Sequence, residues 1–89
     1  MYVILFYDIA DKEKNNSRAI RKSIEKYLKR VQLSVFEGEI RESDLKRLKH
    51  KLQKVADGDL DSIILYEFKR LSYSNRVVIG LDKNEGIFW

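Results

Sequence analysis

Residues 2–8 read Tyr2-Val3-Ile4-Leu5-Phe6-Tyr7-Asp8, six consecutive apolar or aromatic side chains closed by a carboxylate. Aromatic and β-branched side chains packed into so short a run predict a strand rather than a helix. The run lacks apolar/polar alternation, so both faces of that strand are expected to be buried. It is far too short to span a bilayer, and no basic, apolar and small-residue signal pattern precedes it. A soluble, cytoplasmic protein without a membrane partner is the expectation.

The surrounding chain bounds the rest. At 89 residues it is expected to form one domain, residues 1–89. It is 44% hydrophobic and 36% charged, which excludes a disordered or collagen-like chain. The absence of Cys removes disulfides, thiolate metal sites and a cysteine nucleophile, and a single His (His50) excludes a multi-histidine cluster within one chain.

Downstream of the first run, Ile20, Ile24, Tyr27 and Leu28 fall at i, i+4, i+7 and i+8, predicting a helix from about Arg18 to Lys29 led in by the Asn15-Asn16-Ser17 cluster. Residues 31–40 (VQLSVFEGEI) are extended in character, as one bent strand or two with a break near Leu33. Ser43 suits an N-cap, Leu45, Leu48, Leu52 and Val55 make a second amphipathic helix, and Gly58 is a plausible end to it. Ser62-Ile63-Ile64-Leu65-Tyr66-Glu67-Phe68 reads as a strand apolar on both sides, and Val77-Val78-Ile79-Gly80-Leu81 as a short further strand before the apolar tail Ile87-Phe88-Trp89. This order is an α+β, ferredoxin-like βαββαβ sandwich with an extra C-terminal strand. Two helices cover one face of its sheet, so the second apolar face predicts a homodimer, with the C-terminal strand and tail as cross-subunit contacts.

Charge is strongly segregated. Residues 12–30 carry eight basic side chains against Glu13 and Glu25, residues 41–54 carry six against Glu42 and Asp44, and the net charge of the whole chain is only +4. Such clustering suits a polyanionic partner, or simply two solvated helix faces. On a helical wheel Arg18, Lys22, Lys26 and Lys29 gather opposite the first apolar stripe, making them the expected nucleic-acid contacts.

His50 points away from the second apolar stripe and reads as a solvated surface side chain. No phosphate-cradling glycine loop or nucleophile elbow is present. Asp8 is the residue that fits its surroundings badly, because a carboxylate at the rim of a core needs a partner. It reads either as a cap or loop acceptor or as a ligand for a hard cation. Mg²⁺ is satisfied by one or two carboxylates with water and phosphate oxygens. Two Asp8 side chains meeting across a two-fold axis would supply them.

Tyr7-Asp8-Ile9 at the end of the first strand, the basic helix, Gln32-x-Ser34-Val35-Phe36-Glu37, Asp61-Ser62-Ile63-Ile64 and Val78-Ile79-Gly80 together closely resemble the small CRISPR-associated endonuclease family of spacer acquisition. The resemblance runs in order over nearly the whole chain. It implies a ferredoxin-like homodimer that holds Mg²⁺, or another divalent cation such as Mn²⁺, at paired Asp8 carboxylates. It also implies phosphodiester hydrolysis of RNA or duplex DNA, and a scaffold role beside the CRISPR integrase subunit. As candidate catalytic residues beside Asp8, Tyr7 matches the family's residue next to the aspartate, Arg18 a helix-start arginine, and Arg30 and Phe36 positions linked to activity in some members, with Phe36 also readable as a core residue and Arg30 as a helix-end charge. Where relatives often carry an arginine cluster, this chain has Lys12-Glu13-Lys14-Asn15-Asn16-Ser17, so only Arg18 carries over there.

With no general base evident, water activated at the divalent ion is the nucleophile that the resemblance implies, and Arg18 or Arg30 would stabilise the developing charge. Two other readings compete. One is a non-catalytic DNA-binding assembly module using the basic helices and the C-terminal strand. The other is a toxin-type ribonuclease of similar fold, which lacks the Gln-x-Ser-Val-Phe-Glu match.

Overall fold

The computed structural model describes residues 1–9, 15–56, 58–69 and 77–81. Within them the chain runs β1 (Tyr2–Asp8), α1 (Asn15–Glu25), β2 (Lys29–Gln32), β3 (Val35–Glu39), α2 (Glu42–Val55) and β4 (Ser62–Phe68). The four strands form one antiparallel sheet in the order β2-β3-β1-β4. It is a small α+β architecture with two helices, and β1 sits inside the sheet as the unalternating run predicts.

Register explains how β1 fills both faces. Leu5 lies between Phe36 of β3 and Leu65 of β4, while Phe6 is flanked by Val35 and Ile64. Successive side chains of a strand point to opposite faces. Val3, Leu5 and Phe36 are therefore sealed beneath the helices, together with Ile20, Ile24, Leu28, Leu45, Leu48 and Leu52. The other face is closed at one end and open at the other. Tyr2 is buried there and its hydroxyl donates to Glu37 Oε1 at 2.6 Å, whereas Phe6, Ile64 and Tyr66 are 40%, 49% and 54% exposed. Phe6 and Tyr66, diagonal neighbours across the ladder, meet edge-to-face at 5.8 Å.

Several expected boundaries move. α1 takes in Asn15-Asn16-Ser17 rather than being capped by them, and it ends at Glu25 rather than Lys29. The last turn tightens, with the Tyr27 and Leu28 N–H groups both donating to the Ile24 carbonyl. Lys29 and Arg30 then pair with Glu37 and Phe36 in a hairpin. Strand pairing overrides the helical spacing there, although Leu28 still reaches the core.

Residues 31–40 resolve into two strands, broken at Leu33 and Ser34, with an irregularity between Arg30 and Gln32. The N-cap of α2 is Arg41 in extended conformation, without a side-chain cap, and Ser43 lies inside the first turn beside Glu42 and Asp44. α2 closes at Ala56, whose N–H donates to the Leu52 carbonyl, before Gly58 is reached. Residues 77–81 form no strand within the chain, and Val77, Val78, Ile79 and Leu81 are exposed. A strand exists only where an edge pairs with it, and within the described chain none does. The tail at residues 87–89 lies outside the described residues. No described helix is long and apolar enough to cross a membrane.

Phe36 carries the test of this core. Phe36→Ala empties a fully buried position between sheet and helices and is expected to cost about 3–5 kcal/mol in urea unfolding, enough to unfold much of a small domain. Lys46→Ala, on the exposed side of α2, should stay within about 0.5 kcal/mol of the parent.

Candidate functional site

Asp8 is the last residue of β1 and stands opposite Ser62, the first residue of β4. Pairing of these two strands stops here, which carries the carboxylate out of the ladder and into water. Asp8 is exposed, and among the described residues no hydrogen bond or ion pair engages its side chain. It does not cap α1, whose first residue is Asn15. A hard, anionic and uncommitted oxygen pair is the donor type that a divalent ion of the magnesium class takes. Among the described residues no three His, Cys, Asp or Glu side chains converge. Asp8 thus stands as a single exposed carboxylate at this rim.

Tyr7 precedes Asp8 and points to the helix-covered face, as strand alternation requires. Its ring stacks on Phe36 at 5.9 Å with 27° between planes, and its hydroxyl donates to the Leu33 carbonyl at 3.5 Å. Its backbone N–H donates to the Ser34 carbonyl at 3.1 Å. The turn between β2 and β3 therefore clamps the end of β1 through Tyr7, one residue before the carboxylate. Periodicity alone did not mark Leu33 and Ser34 as parts of this end of the sheet; their place beside a strand break was the available signal.

Phe36 is fully buried. The activity-linked position that the resemblance implies is, in this chain, a packing position that supports Tyr7, since a side chain sealed in the core cannot reach substrate. Arg30 is exposed on the edge strand β2, in the row that runs through Phe36 to Leu5. That row lies three residues along β1 from Asp8 and two strands away. Strand rise and spacing separate the two backbones by roughly 14 Å. Arg30 and Asp8 are not brought to one point. Arg18 is exposed in the first turn of α1.

The expected basic stripe divides among elements. Arg18 and Lys22 are on α1, Lys26 is in the turn after it and Lys29 opens β2, all four exposed. They do not form a single helical face, because the helix ends before the last two. His50 is exposed on α2, as its position on the wheel predicts.

Sequence and fold agree on the relatives. Residues 1–76 match the family described as CRISPR associated protein Cas2. The chain is 43% identical over 83 residues to a CRISPR-associated endoribonuclease Cas2 of Thermodesulfovibrio yellowstonii, covering 92% of this chain and 90% of that protein. It is 38% identical over 87 residues to the protein of that name from Fusobacterium nucleatum, covering 96% and 82%. Among solved structures, one described as a crystal structure of cas2 superposes with a TM-score of 0.80 at 31% identity, covering 100% of this chain and 97% of the other. Streptococcus pyogenes Cas2 superposes with a TM-score of 0.62 at 30% identity over 76% and 86% of the two chains. The sheet order, the carboxylate that ends its central strand and these matches have one explanation: the chain belongs to the Cas2 family of CRISPR-associated proteins.

Proposed function

We propose that this protein is a homodimeric, divalent-metal-dependent endonuclease of the cytoplasm that hydrolyses phosphodiesters in RNA or duplex DNA. The observation that carries this reading is the exposed, uncommitted Asp8 carboxylate at the clamped end of β1. RNA is favoured by the name endoribonuclease borne by the relatives. Asp8, with Asp8 of a second copy, would hold Mg²⁺ or Mn²⁺. Such an ion, when bound, supplies positive charge beside the attacked phosphate and makes a water more acidic. The Tyr7 clamp fixes the direction in which the carboxylate leaves the sheet, and Arg18 is an exposed cation on α1 that can neutralise a substrate phosphate.

The sheet order β2-β3-β1-β4, with both helices packed on the Val3 and Leu5 face, is read as a ferredoxin-like sandwich. Phe6, Ile64 and Tyr66 on the other face and the exposed segment 77–81 are apolar surfaces that a second copy would cover. The same surfaces favour a companion role, a scaffold of spacer acquisition that binds DNA and the CRISPR integrase subunit whether or not cleavage occurs.

Asp8→Asn keeps the shape of the side chain and removes the charge. Divalent-dependent cleavage of RNA and duplex DNA should fall by orders of magnitude, with unfolding unchanged within about 0.5 kcal/mol because the carboxylate has no partner to lose. A loss of about 1 kcal/mol with cleavage intact would make Asp8 a structural acceptor instead. Spacer acquisition that survives Asp8→Asn would assign the cellular role to the scaffold.

Light scattering at micromolar concentration should give twice the 10.6 kDa mass of the chain. Ile64→Glu, which puts a charge on the open face, should return the protein to the single-chain mass. A wild-type protein found only as the 10.6 kDa species would overturn the dimer.

A further inference from the structure

The clefts of the described surface differ in sign. The groove between α2 and β4 is largely apolar, lined by Leu52, Ala56, Ile63 and Leu65, and its one cation, Lys49, is tied to Glu67. The depression beside Met1 mixes Lys46 and Lys49 with Glu42 and Glu67. A third cleft, of about 230 Å³, opens between α1 and α2 and is lined by Ser23, Lys26, Tyr27, Arg47, Leu48 and Lys51. Its charged lining is entirely cationic.

These cations come from separate elements. Lys26 is delivered by the turn that ends α1, while Arg47 and Lys51 stand one turn apart on the flank of α2 that faces α1. Leu48 lies between them at the floor, almost fully buried. The neighbouring carboxylates offset the group only in part, through Asp44 on Arg47. Asp44 is shared between Arg41 Nε at 3.4 Å and Arg47 Nη1 at 3.3 Å, and Glu25 lies 4.0 Å from Arg21. Lys26 and Lys51 have no ion pair among the described residues. The Ser23 hydroxyl donates to the Ala19 carbonyl at 2.9 Å, so the cleft offers charge rather than a hydrogen-bonding pocket for a base.

We infer that this α1–α2 cleft is a second binding site for nucleic acid, one that takes the phosphate backbone through Lys26, Arg47 and Lys51 on the helix layer, away from the open sheet face on which Asp8 stands. The inference rests on the nucleic-acid reading proposed above and adds a location to it. Spacing fits the ligand. Arg47 and Lys51 are separated by about 6 Å along the helix, and Lys54, exposed, extends the row by about 4.5 Å. Phosphates of one strand succeed each other every 3.4 Å or so along a duplex axis, so Arg47 and Lys51 span roughly two phosphate steps and the row to Lys54 roughly three. Lys26 and Lys51, with Arg47 only partly offset by Asp44, repel each other in the free protein, and a phosphate between them relieves that repulsion. Backbone contacts of this kind position a nucleic acid without reading its bases, so the site is expected to be indifferent to sequence.

The test is binding of a short duplex DNA by fluorescence anisotropy over a range of salt, with EDTA present so that cleavage plays no part. Arg47→Gln with Lys51→Gln should make the slope of log K against log salt shallower by about 1.8. Circular dichroism should be unchanged, because the Arg47–Asp44 bridge is on the surface. Lys46→Gln with Lys69→Gln removes the same charge elsewhere and should leave the slope close to that of wild type, and Arg47→Lys should retain most of it. An unchanged slope in the Arg47/Lys51 variant, or an equal loss in the Lys46/Lys69 control, overturns the cleft while the nuclease reading stands on Asp8. Wild-type protein with no salt-dependent binding to duplex DNA or to RNA overturns the nucleic-acid reading and the cleft with it.

Discussion

The fold depends on β1 being hydrogen-bonded along both edges. Val3, Leu5 and Tyr7 can be held beneath the helices only if β3 and β4 consume the backbone N–H and C=O groups of the same strand, since a buried unpaired peptide group costs about as much as one buried apolar side chain returns. The constraint fixes register as well. A slip of β1 by one residue would exchange Leu5 for Phe6 under the helices and turn the whole inward set of that strand to the other face. It also places the site, because the ladder with β4 closes at Asp8 and Ser62, and a carboxylate can stand there only because water begins there.

Much of this was legible in the sequence, and for physical reasons. The unalternating run 2–7 identifies a strand with apolar side chains on both faces, one sealed and the other open around Phe6, and Leu45, Leu48 and Leu52 identify the inner face of α2, because burial is a strong and local constraint on side-chain type. Ends were less legible. α1 looks as though it runs to Lys29 because Tyr27 and Leu28 keep its spacing, and both do turn inward, Tyr27 in part and Leu28 fully. The chain nevertheless leaves the helix at Glu25, since pairing with β3 satisfies the backbone of Lys29 and Arg30 better than another turn would. The strand expected at 77–81 needs an edge to pair with, and a single chain's sequence does not say whose edge that is.

The candidate site divides along the same line. Asp8 stands out because a charge beside six apolar residues violates a pattern. Phe36 and Tyr7 do not, since an aromatic residue that stacks in the core and one that touches substrate look alike in a sequence. Their 5.9 Å stack and the burial of Phe36 separate the two meanings. Charge is the least legible of all. A lysine in a list of basic residues carries no direction until the flank of its helix is known, so Arg47 and Lys51 were indistinguishable from Lys46 and Lys49 before α1 was placed beside α2.

Direction is what links the two chemistries of the chain. The helix layer carries cations, the opposite face of the sheet carries Phe6, Ile64 and Tyr66, and Asp8 stands at the rim of that apolar face. A nucleic acid lying in the α1–α2 cleft is separated from the Asp8 of the same chain by the whole thickness of the sheet. Two copies closed through their apolar faces would turn the helix layers outward on both sides and bring the rims, with their carboxylates, toward each other. In such a particle the cationic clefts would hold polyanions apart while the acidic rim would meet whatever enters between the copies. Binding and cleavage would then be separable properties of one small chain, as the proposed pairing of a scaffold with a nuclease requires.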